Sequence, residues 1–492
     1  MSNNSSSGNL IKNLLSITSG QFLNLFLSFL SITLAARYLG VENFGKFGYL
    51  LAVVSVVSKI IDFGFTPIVF RELSINKKYV LLNSAIIFRL LAFFIVAIFL
   101  NIILFFLNTS VTEQILLNLL LTNSLISARF ICVRELLDVP FKVELKMHYP
   151  MLFTNIDNIA LFFTVLLLPF YEDKLTLFIV GYVLSNLPGL FLTLYFLYKK
   201  FGYHVKTNLS SIKYLLKESL PLYGFIVLDT LYQQLDVILL KNLSTYHDAG
   251  IYSVALRLST PLLILPTAII HTIFPTLSKN FTNSKTDNSF IINLIFKILF
   301  ILSFSISIVF FFYSKNIILL IFGEKYIFST TPTTFLLFSQ IFIFFNYFVI
   351  NIFVAINKQS IDFFYSVLIL VINTILNILL IPSFSYIGCS WAKLISAFIG
   401  FLFLFIIMKR IFKKTYLLDI YFLAWVCLSL VFGYLLSYFN LFVFLPIFIV
   451  YILTSVFFVG LIKSDEAEFL IKLLHLESLK LKIFNIWSRN GK

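Results

Sequence analysis

The sequence predicts an all-α protein that crosses a membrane many times. Of its 492 residues, 60% are hydrophobic and only 12% are charged, and the mean hydropathy is +0.99. Soluble globular chains carry about 25% charged residues. A helix needs roughly 20 apolar residues to cross a hydrocarbon core about 30 Å thick, and such runs follow one another almost from end to end. The chain is therefore expected to act within the membrane.

We count about 14 apolar segments of this length. In chain order they are Leu14–Ala36, Phe47–Phe70, Tyr79–Leu107, Gln114–Val139, Pro150–Tyr171, Leu175–Tyr198, Leu220–Leu240, Ala249–Pro275, Phe290–Tyr313, Thr333–Ile356, Phe363–Pro382, Ile387–Met408, Leu418–Tyr438 and Phe442–Ile462. The opening MSNNSSSGN lacks the charged start and the cleavage site of a signal peptide. The first segment is therefore expected to remain as a helix.

Basic residues predict the orientation of the chain. The densest groups follow the second, sixth and twelfth segments and include Arg71, Lys77 and Lys78 after the second. Since Lys and Arg are enriched in cytoplasmic links, these links and both termini are expected to be cytoplasmic. The same distribution accounts for the net charge of +15, so we expect no nucleic-acid partner.

The motifs of soluble enzymes are absent. The sequence contains no glycine-rich phosphate loop, paired-histidine metal motif or nucleophile elbow. Cys132, Cys389 and Cys427 fall inside apolar segments, which favours burial over a disulfide or a zinc site. We expect neither an enzyme nor a bound metal.

The chain contains a weak internal repeat. LSITLAARYLGVENFGKFGYL, from Leu30, aligns with LDVILLKNLSTYHDAGIYSVA, from Leu235, and the alignment matches Gly45 with Gly250. An even number of predicted crossings separates the copies, so both halves enter the membrane in the same direction and form a parallel repeat. The predicted organisation is an N-terminal lobe (1–213), a C-terminal lobe (214–415), an added helical pair (416–463) and an amphipathic cytoplasmic tail (464–492), with about six helices in each lobe.

Polar residues recur on one face of the segments that open each half. Positions three or four residues apart share a helical face. The second segment carries Ser55, Lys59, Asp62 and Thr66. The seventh carries Asp229, Gln233 and Asp236, which align with Asn24, Ser28 and Ser31 of the first. Such faces would be costly against lipid, so they are expected to line a shared cavity.

Several basic residues lie deep inside the segments. We expect the deepest to serve function, because their side chains are too far from the segment ends to reach water: they are Lys59, Arg89, Arg129 and Arg257. Lys59 can also pair with Asp62 one turn on, and that pair would still need a polar surrounding. For Arg134 the local helix-surface pair with Asp138 is the favoured interpretation. Lys297 and Lys393 lie nearer the segment ends, and both function and snorkelling remain open.

Loose motifs in the expected order resemble a known family. RYLGVENFGKFGY from Arg37 and DFGF from Asp62 are followed by FGEKY at Phe322, INKQS at Ile356 and NILLIPSFSYIGCSWA from Asn377. Together they resemble the polysaccharide flippases, O-antigen flippases among them, of the multidrug/oligosaccharidyl-lipid/polysaccharide exporter superfamily. The resemblance implies two six-helix lobes, an extra helical pair and export of an undecaprenyl-diphosphate-linked oligosaccharide across the cytoplasmic (inner) membrane. It does not supply site residues.

The expected site follows from the deep charges. Lys59, Arg89, Arg129 and Arg257 are expected to contact the diphosphate, and the cavity or coupling residues are expected to be Asp62, Asp157, Asp229, Gln233 and Asp236. We expect no cofactor beyond coupling to protons or sodium. The expected partners are the lipid-linked oligosaccharide, membrane lipid, and the polymerase and glycosyltransferases of the same pathway. A multidrug antiporter of the same superfamily, a membrane polysaccharide polymerase or glycosyltransferase, and a structural scaffold remain alternatives.

Overall fold

The computed structural model describes residues 4–76, 79–130, 132–201, 207–270, 272, 289–412, 420–458 and 466. All regular secondary structure in these ranges is helical, which confirms the all-α prediction. The helices are α1 (Asn4–Asp62), α2 (Phe65–Asn76), α3 (Tyr79–Phe106), α4 (Val111–Leu121), α5 (Asn123–Ile126), α6 (Val133–Val143), α7 (His148–Leu167), α8 (Lys174–Leu184), α9 (Leu187–Phe201), α10 (Leu209–Leu243), α11 (Tyr246–Ser259), α12 (Ser289–Ile321), α13 (Thr330–Ala355), α14 (Gln359–Ile411), α15 (Ile420–Leu436) and α16 (Leu441–Phe458).

The predicted segments coincide with helices as far as the described residues reach, but their ends differ. Eight helical stretches in those ranges are long and apolar enough to cross a membrane. One of them, Gln359–Ile411, holds the eleventh and twelfth predicted segments, and another, Gly20–Asp62, holds most of the first and most of the second. Kinks divide them at Gly40 (φ 75°) and Ser385 (φ 48°). The seventh segment lies on α10, which carries many polar residues and is not among the eight.

Breaks between helices interrupt the second, fourth and sixth predicted segments. The second breaks between α1 and α2, where Phe63 (φ 54°) and Gly64 (φ 67°) both have left-handed backbone conformations. The fourth is divided between α4, α5 and α6, and the sixth between α8 and α9. A break frees backbone groups that must find partners inside the protein, since lipid offers none.

The chain forms two compact units. The first comprises residues 1–257, 319–332 and 366–392. The second comprises residues 258–318, 333–365 and 393–492. The lobe boundaries expected from the repeat stay a prediction.

In the first unit, the two copies of the internal repeat meet at their matched glycines. A Cβ added to Gly45 would lie 1.8 Å from the Tyr246 carbonyl oxygen and 2.6 Å from the Gly250 nitrogen. A Cβ on Gly250 would lie 2.1 Å from the Val41 carbonyl oxygen. The backbones of α1 and α11 therefore touch where the alignment pairs the two glycines, and only glycine fits there.

In the second unit, Lys297 forms an ion pair. Its Nζ lies 2.9 Å and 3.2 Å from the two carboxylate oxygens of Glu466, and both side chains are largely buried. Lys297, for which function and snorkelling were both open, is therefore held by an ion pair within this unit. Lys393 is also buried in this unit, at 7% exposure. Apart from Glu466, the predicted amphipathic tail lies outside the described residues.

Candidate functional site

A cavity of about 650 Å³ lies within the first unit. Its wall is formed by α1, α2, α6 and α10 together with the turn that carries Arg129. The polar residues that line it are Ser55, Lys59, Asp62, Thr66, Arg129, Glu135, Lys142, Asp229, Thr230, Gln233 and Gln234. All four members of the polar face predicted on the second segment are among them. Of the three predicted on the seventh segment, Asp229 and Gln233 line the cavity and Asp236 does not.

Arg89 lies behind the cavity wall, at the break between α1 and α2. Its side chain is fully buried and donates hydrogen bonds from Nε to the Asp62 carbonyl (2.9 Å) and from Nη1 to the Cys132 carbonyl (2.6 Å). Its Nη2 contacts the Asp62 carboxylate and Thr66 Oγ1 (3.1 Å). One guanidinium thus satisfies backbone carbonyls at two interrupted helices. The predicted role of Arg89 as a substrate ligand is corrected, because its donors are occupied by the protein.

Asp62 and Lys59 share this corner of the cavity. Lys59 Nζ lies 3.6 Å from Asp62 Oδ2, one turn along α1. Because Asp62 is also paired with Arg89, two cations share one carboxylate here. Lys59, Asp62 and Arg89 together therefore carry a net positive charge. Of the two cations, Lys59 lines the cavity and Arg89 does not.

Arg129 and Arg257, the arginine pair, form the second cationic group. Arg129 lines the cavity, donates from Nη2 to Asn158 Oδ1 (2.6 Å) and lies 4.9 Å from the centre of the Tyr182 ring. Its Nη1 is buried without a hydrogen-bond partner. Arg257 is half-buried, does not line the cavity, and lies close enough to Arg129 and Tyr182 to interact with both electrostatically. Neither arginine forms a salt bridge with any carboxylate in the described ranges.

Asp157 is part of a buried ion pair and does not line the cavity. Its carboxylate contacts Arg134 Nη1 and accepts a hydrogen bond from the Gly189 backbone nitrogen (2.7 Å). Both charged side chains are about 1% exposed. The expected pair of Arg134 with Asp138 is therefore not formed in this conformation, because Arg134 reaches across to α7 instead. Asp157 stabilises the packing of α6, α7 and α9.

We expect Gly189→Ala to destabilise the protein by about 1–3 kcal/mol, the usual cost of overpacking. An added Cβ would lie 2.4 Å from Arg134 Nη2 and 2.4 Å from Asp157 Oδ1, which forces the ion pair apart. Thermal unfolding in detergent measures the effect. Gly224→Ala is the matched control, because beyond its chain neighbours and the backbone of its own helix no atom lies within 4 Å of the added carbon there. Equal melting temperatures for the two variants would show that the contact is not restrictive.

The carboxylates of α10 have two different surroundings. Asp229 is exposed to the cavity and accepts a hydrogen bond from Gln233 Nε2 (2.8 Å). Asp236 is fully buried and accepts hydrogen bonds from Tyr252 (3.0 Å) and Asn377 (2.8 Å). Asn377 also donates to Asn373 Oδ1 (3.2 Å). The two carboxylates expected to act together are therefore separate sites.

The sequence-based prediction missed the contribution of α6. Glu135, Val139 and Lys142 line the cavity, and their spacing of four and three residues places them on one helical face. Lys142 Nζ lies 3.5 Å from Glu135 Oε1, so these charges offset each other. The signal was present as an amphipathic pattern, but the apolar residues upstream favoured one continuous membrane segment.

The fold is that of a multi-pass membrane transporter. Lipid II flippase MurJ in an inward closed conformation is similar with a TM-score of 0.70 and 18% identity, covering 92% of this chain and 99% of its own. An inward-facing MATE-family multidrug resistance transporter of the MOP superfamily has a TM-score of 0.56 and 13% identity, and the match covers 80% of this chain and 96% of the transporter. The Vibrio cholerae MATE transporter VcmN in its bent form has a TM-score of 0.52 and 15% identity, and the match covers 84% of this chain and 99% of VcmN.

The chain belongs to the polysaccharide biosynthesis protein family, whose family model matches residues 10–281. No curated protein is a significant match. The resemblance recognised in the sequence and the prediction of a polytopic membrane protein are both confirmed. The three solved structures described above are a flippase and two transporters, which together with the family membership agrees with the prediction that the chain is not an enzyme.

Proposed function

We propose that the protein is a flippase for an undecaprenyl-diphosphate-linked oligosaccharide, such as an O-antigen, capsule or exopolysaccharide repeat unit. It acts in the cytoplasmic (inner) membrane with both termini cytoplasmic, and supplies substrate to the polymerase of the pathway after the glycosyltransferases have built it. Membership of the polysaccharide biosynthesis family and the fold shared with a lipid II flippase support this substrate class.

The arginine pair is the observation that carries the proposal. Arg129 and Arg257 carry like charges that act on each other, and neither forms a salt bridge with a carboxylate in the described ranges, so a nearby anion would relieve their repulsion. Arg129 retains a buried Nη1 that has no acceptor. Guanidinium groups bind phosphate oxygens through two parallel hydrogen bonds, so a diphosphate fits this position well. Lys59 adds a point charge elsewhere on the cavity wall.

The other wall of the cavity suits the glycan. Asp229, Thr230, Gln233 and Gln234 present carboxylate, hydroxyl and amide groups from α10. Sugar hydroxyls left without hydrogen bonds would each cost several kcal/mol in an apolar surrounding. Because these α10 residues line the same cavity as Lys59 and Arg129, the diphosphate and the first sugars can share one hydrated cavity. The two repeated lobes then expose this cavity to each side in turn.

Purified protein in vesicles tests the proposal. The vesicles carry a lipid-linked oligosaccharide, and an impermeant reagent modifies only the outer sugars. We expect the protein to bring the inner-leaflet pool to the reagent faster than protein-free vesicles do. If no lipid-linked glycan responds while an organic cation is exchanged for protons or sodium, the protein is a multidrug antiporter and the proposal fails.

We propose that Asp236 binds the coupling cation, a proton or sodium. Its surrounding of Tyr252, Asn373 and Asn377 supplies oxygen atoms to a cation and hydrogen bonds to a carboxyl group. A carboxylate that is neutralised on binding a cation is cheaper to enclose, so cation binding favours one conformation.

We expect Asp236→Asn to transport at the same rate with and without an imposed gradient. Asp229→Asn, at the cavity surface, should keep the gradient dependence. Flipping in vesicles with proton or sodium gradients measures both variants. A normal gradient response in Asp236→Asn would contradict the assignment.

A further inference from the structure

Asp138 on α6 is a buried carboxyl group outside the substrate cavity. The residue is 6% exposed, and its Oδ1 is enclosed without a hydrogen-bond partner. No salt bridge to Asp138 forms within the described ranges, although Arg134 lies four residues before it on the same helix. A bare carboxylate in this position would lack the compensation that burial of a charge requires.

The charged side chains near Asp138 form ion pairs with other residues or lie exposed at a helix end. The charged groups that act on Asp138 are Arg134, Glu135 and Lys142 on α6 and Asp157 on α7. Arg134 is paired with Asp157, and Lys142 with Glu135. The helices α2, α3, α5 and α9 also pack against α6. Their charged residues are Arg71 and Glu72, which are paired with each other; Arg89, which is bound to Asp62; and Lys199 and Lys200, which are exposed at the end of α9.

We infer that Asp138 is a proton-binding site, and that Arg134 is shared between Asp138 and Asp157. One guanidinium can neutralise one of the two carboxylates, so the other must carry a proton while both are enclosed. In this conformation Arg134 is bound to Asp157, and the proton therefore belongs to Asp138. Arg134 Nε has no hydrogen-bond partner, which leaves a donor available to the second carboxyl group.

The sharing gives α6 two states. When Asp138 loses its proton, its carboxylate attracts the Arg134 guanidinium, which lies four residues before it on α6, a spacing that favours such pairs. Asp157 then keeps only the Gly189 N–H, and the link from α6 to α7 and α9 is weakened. The same helix presents Glu135, Val139 and Lys142 to the cavity. Proton binding on one face of α6 is thereby connected to the cavity on another face.

Infrared spectroscopy of the purified protein at neutral pH tests the inference without any substrate, so its result is independent of the proposed flippase function. We expect a carbonyl band of a protonated carboxylic acid that is lost in Asp138→Asn. The control is Glu144→Gln, an exposed carboxylate 2.6 Å from Lys146, which should leave the band unchanged. If the wild-type protein lacks the band, or if Asp138→Asn retains it in full, Asp138 does not hold the proton.

Thermal unfolding gives an independent check. Asn has the shape of a neutral Asp, so Asp138→Asn should melt at or above the wild-type temperature at neutral pH. Asp157→Asn removes the partner of a buried arginine and should melt at a lower temperature. An equal loss in both variants would show that Asp138 is ionised and that Arg134 is not shared as inferred.

Discussion

Replacing Arg89 with methionine is expected to remove most of the folding stability of the protein. Removing one partner of a buried ion pair costs about 3–5 kcal/mol. Each backbone carbonyl left without a donor adds about 1–3 kcal/mol, and Arg89 serves the carbonyls of Asp62 and Cys132. A typical protein is stable by about 5–15 kcal/mol, so Arg89→Met should lose its well-defined melting transition in detergent.

Variants at the same position separate charge from hydrogen bonding. Arg89→Lys keeps a positive charge beside the Asp62 carboxylate, but its single amine cannot reach both carbonyls. It should therefore recover only part of the stability that Arg89→Met loses. Arg71→Met is the control, because Arg71 is an exposed arginine paired with Glu72 and Glu218, and such surface pairs contribute about 0–1 kcal/mol. Wild-type melting of Arg89→Met would show that the helix break does not depend on this guanidinium.

Removing both charges of the arginine pair is expected to abolish flipping while the protein remains folded. Loss of one partner of a desolvated charge pair in a complex costs about 2–5 kcal/mol, which corresponds to roughly 30-fold or more in affinity. Arg129→Gln combined with Arg257→Gln should therefore reduce vesicle flipping to the rate without protein. Because Lys offers a point charge where Arg offers a fork, Arg257→Lys should impair transport more than Lys59→Arg.

The control for these variants is Lys146→Gln, which removes an exposed cation paired with Glu144. Its flipping rate should match that of the wild-type protein. Removing the repulsion between the two guanidinium groups should also leave the melting temperature of the double variant unchanged or raised. Full flipping by the double variant would exclude the arginine pair as the substrate site.

Much of the fold was predicted from local sequence patterns, namely apolar runs, the repeat and the spacing of polar residues. The apolar runs predicted the membrane segments, and the repeat alignment paired Gly45 with Gly250, which are in contact. The polar face of the second segment was also found, since all of its members lie three or four residues apart and line the cavity. These features depend on helix geometry, which local sequence contains.

The partners of the buried charges could not be predicted in the same way. Arg134 has an acidic residue one turn away, yet it pairs with Asp157 on another helix. Arg89 binds Asp62, 27 residues before it, because a helix break exposes carbonyls there. Such partners are set by how the helices pack and where they are interrupted. The sequence therefore could not separate the deep charges that line the cavity, such as Lys59 and Arg129, from those that hold the helices together, such as Arg89 and Arg134.

The most direct test of the central claim is the binding of undecaprenyl diphosphate to the purified protein, compared with uncharged undecaprenol of the same chain length. Native mass spectrometry of the protein with each lipid in the same detergent measures both affinities. We expect the wild-type protein to bind the diphosphate lipid roughly 30-fold or more tightly than undecaprenol, the difference that one desolvated charge contact to phosphate would give. The Arg129→Gln/Arg257→Gln variant should bind both lipids equally. Equal binding of both lipids by the wild-type protein, or an undiminished preference in the variant, would contradict the claim that the arginine pair recognises the diphosphate.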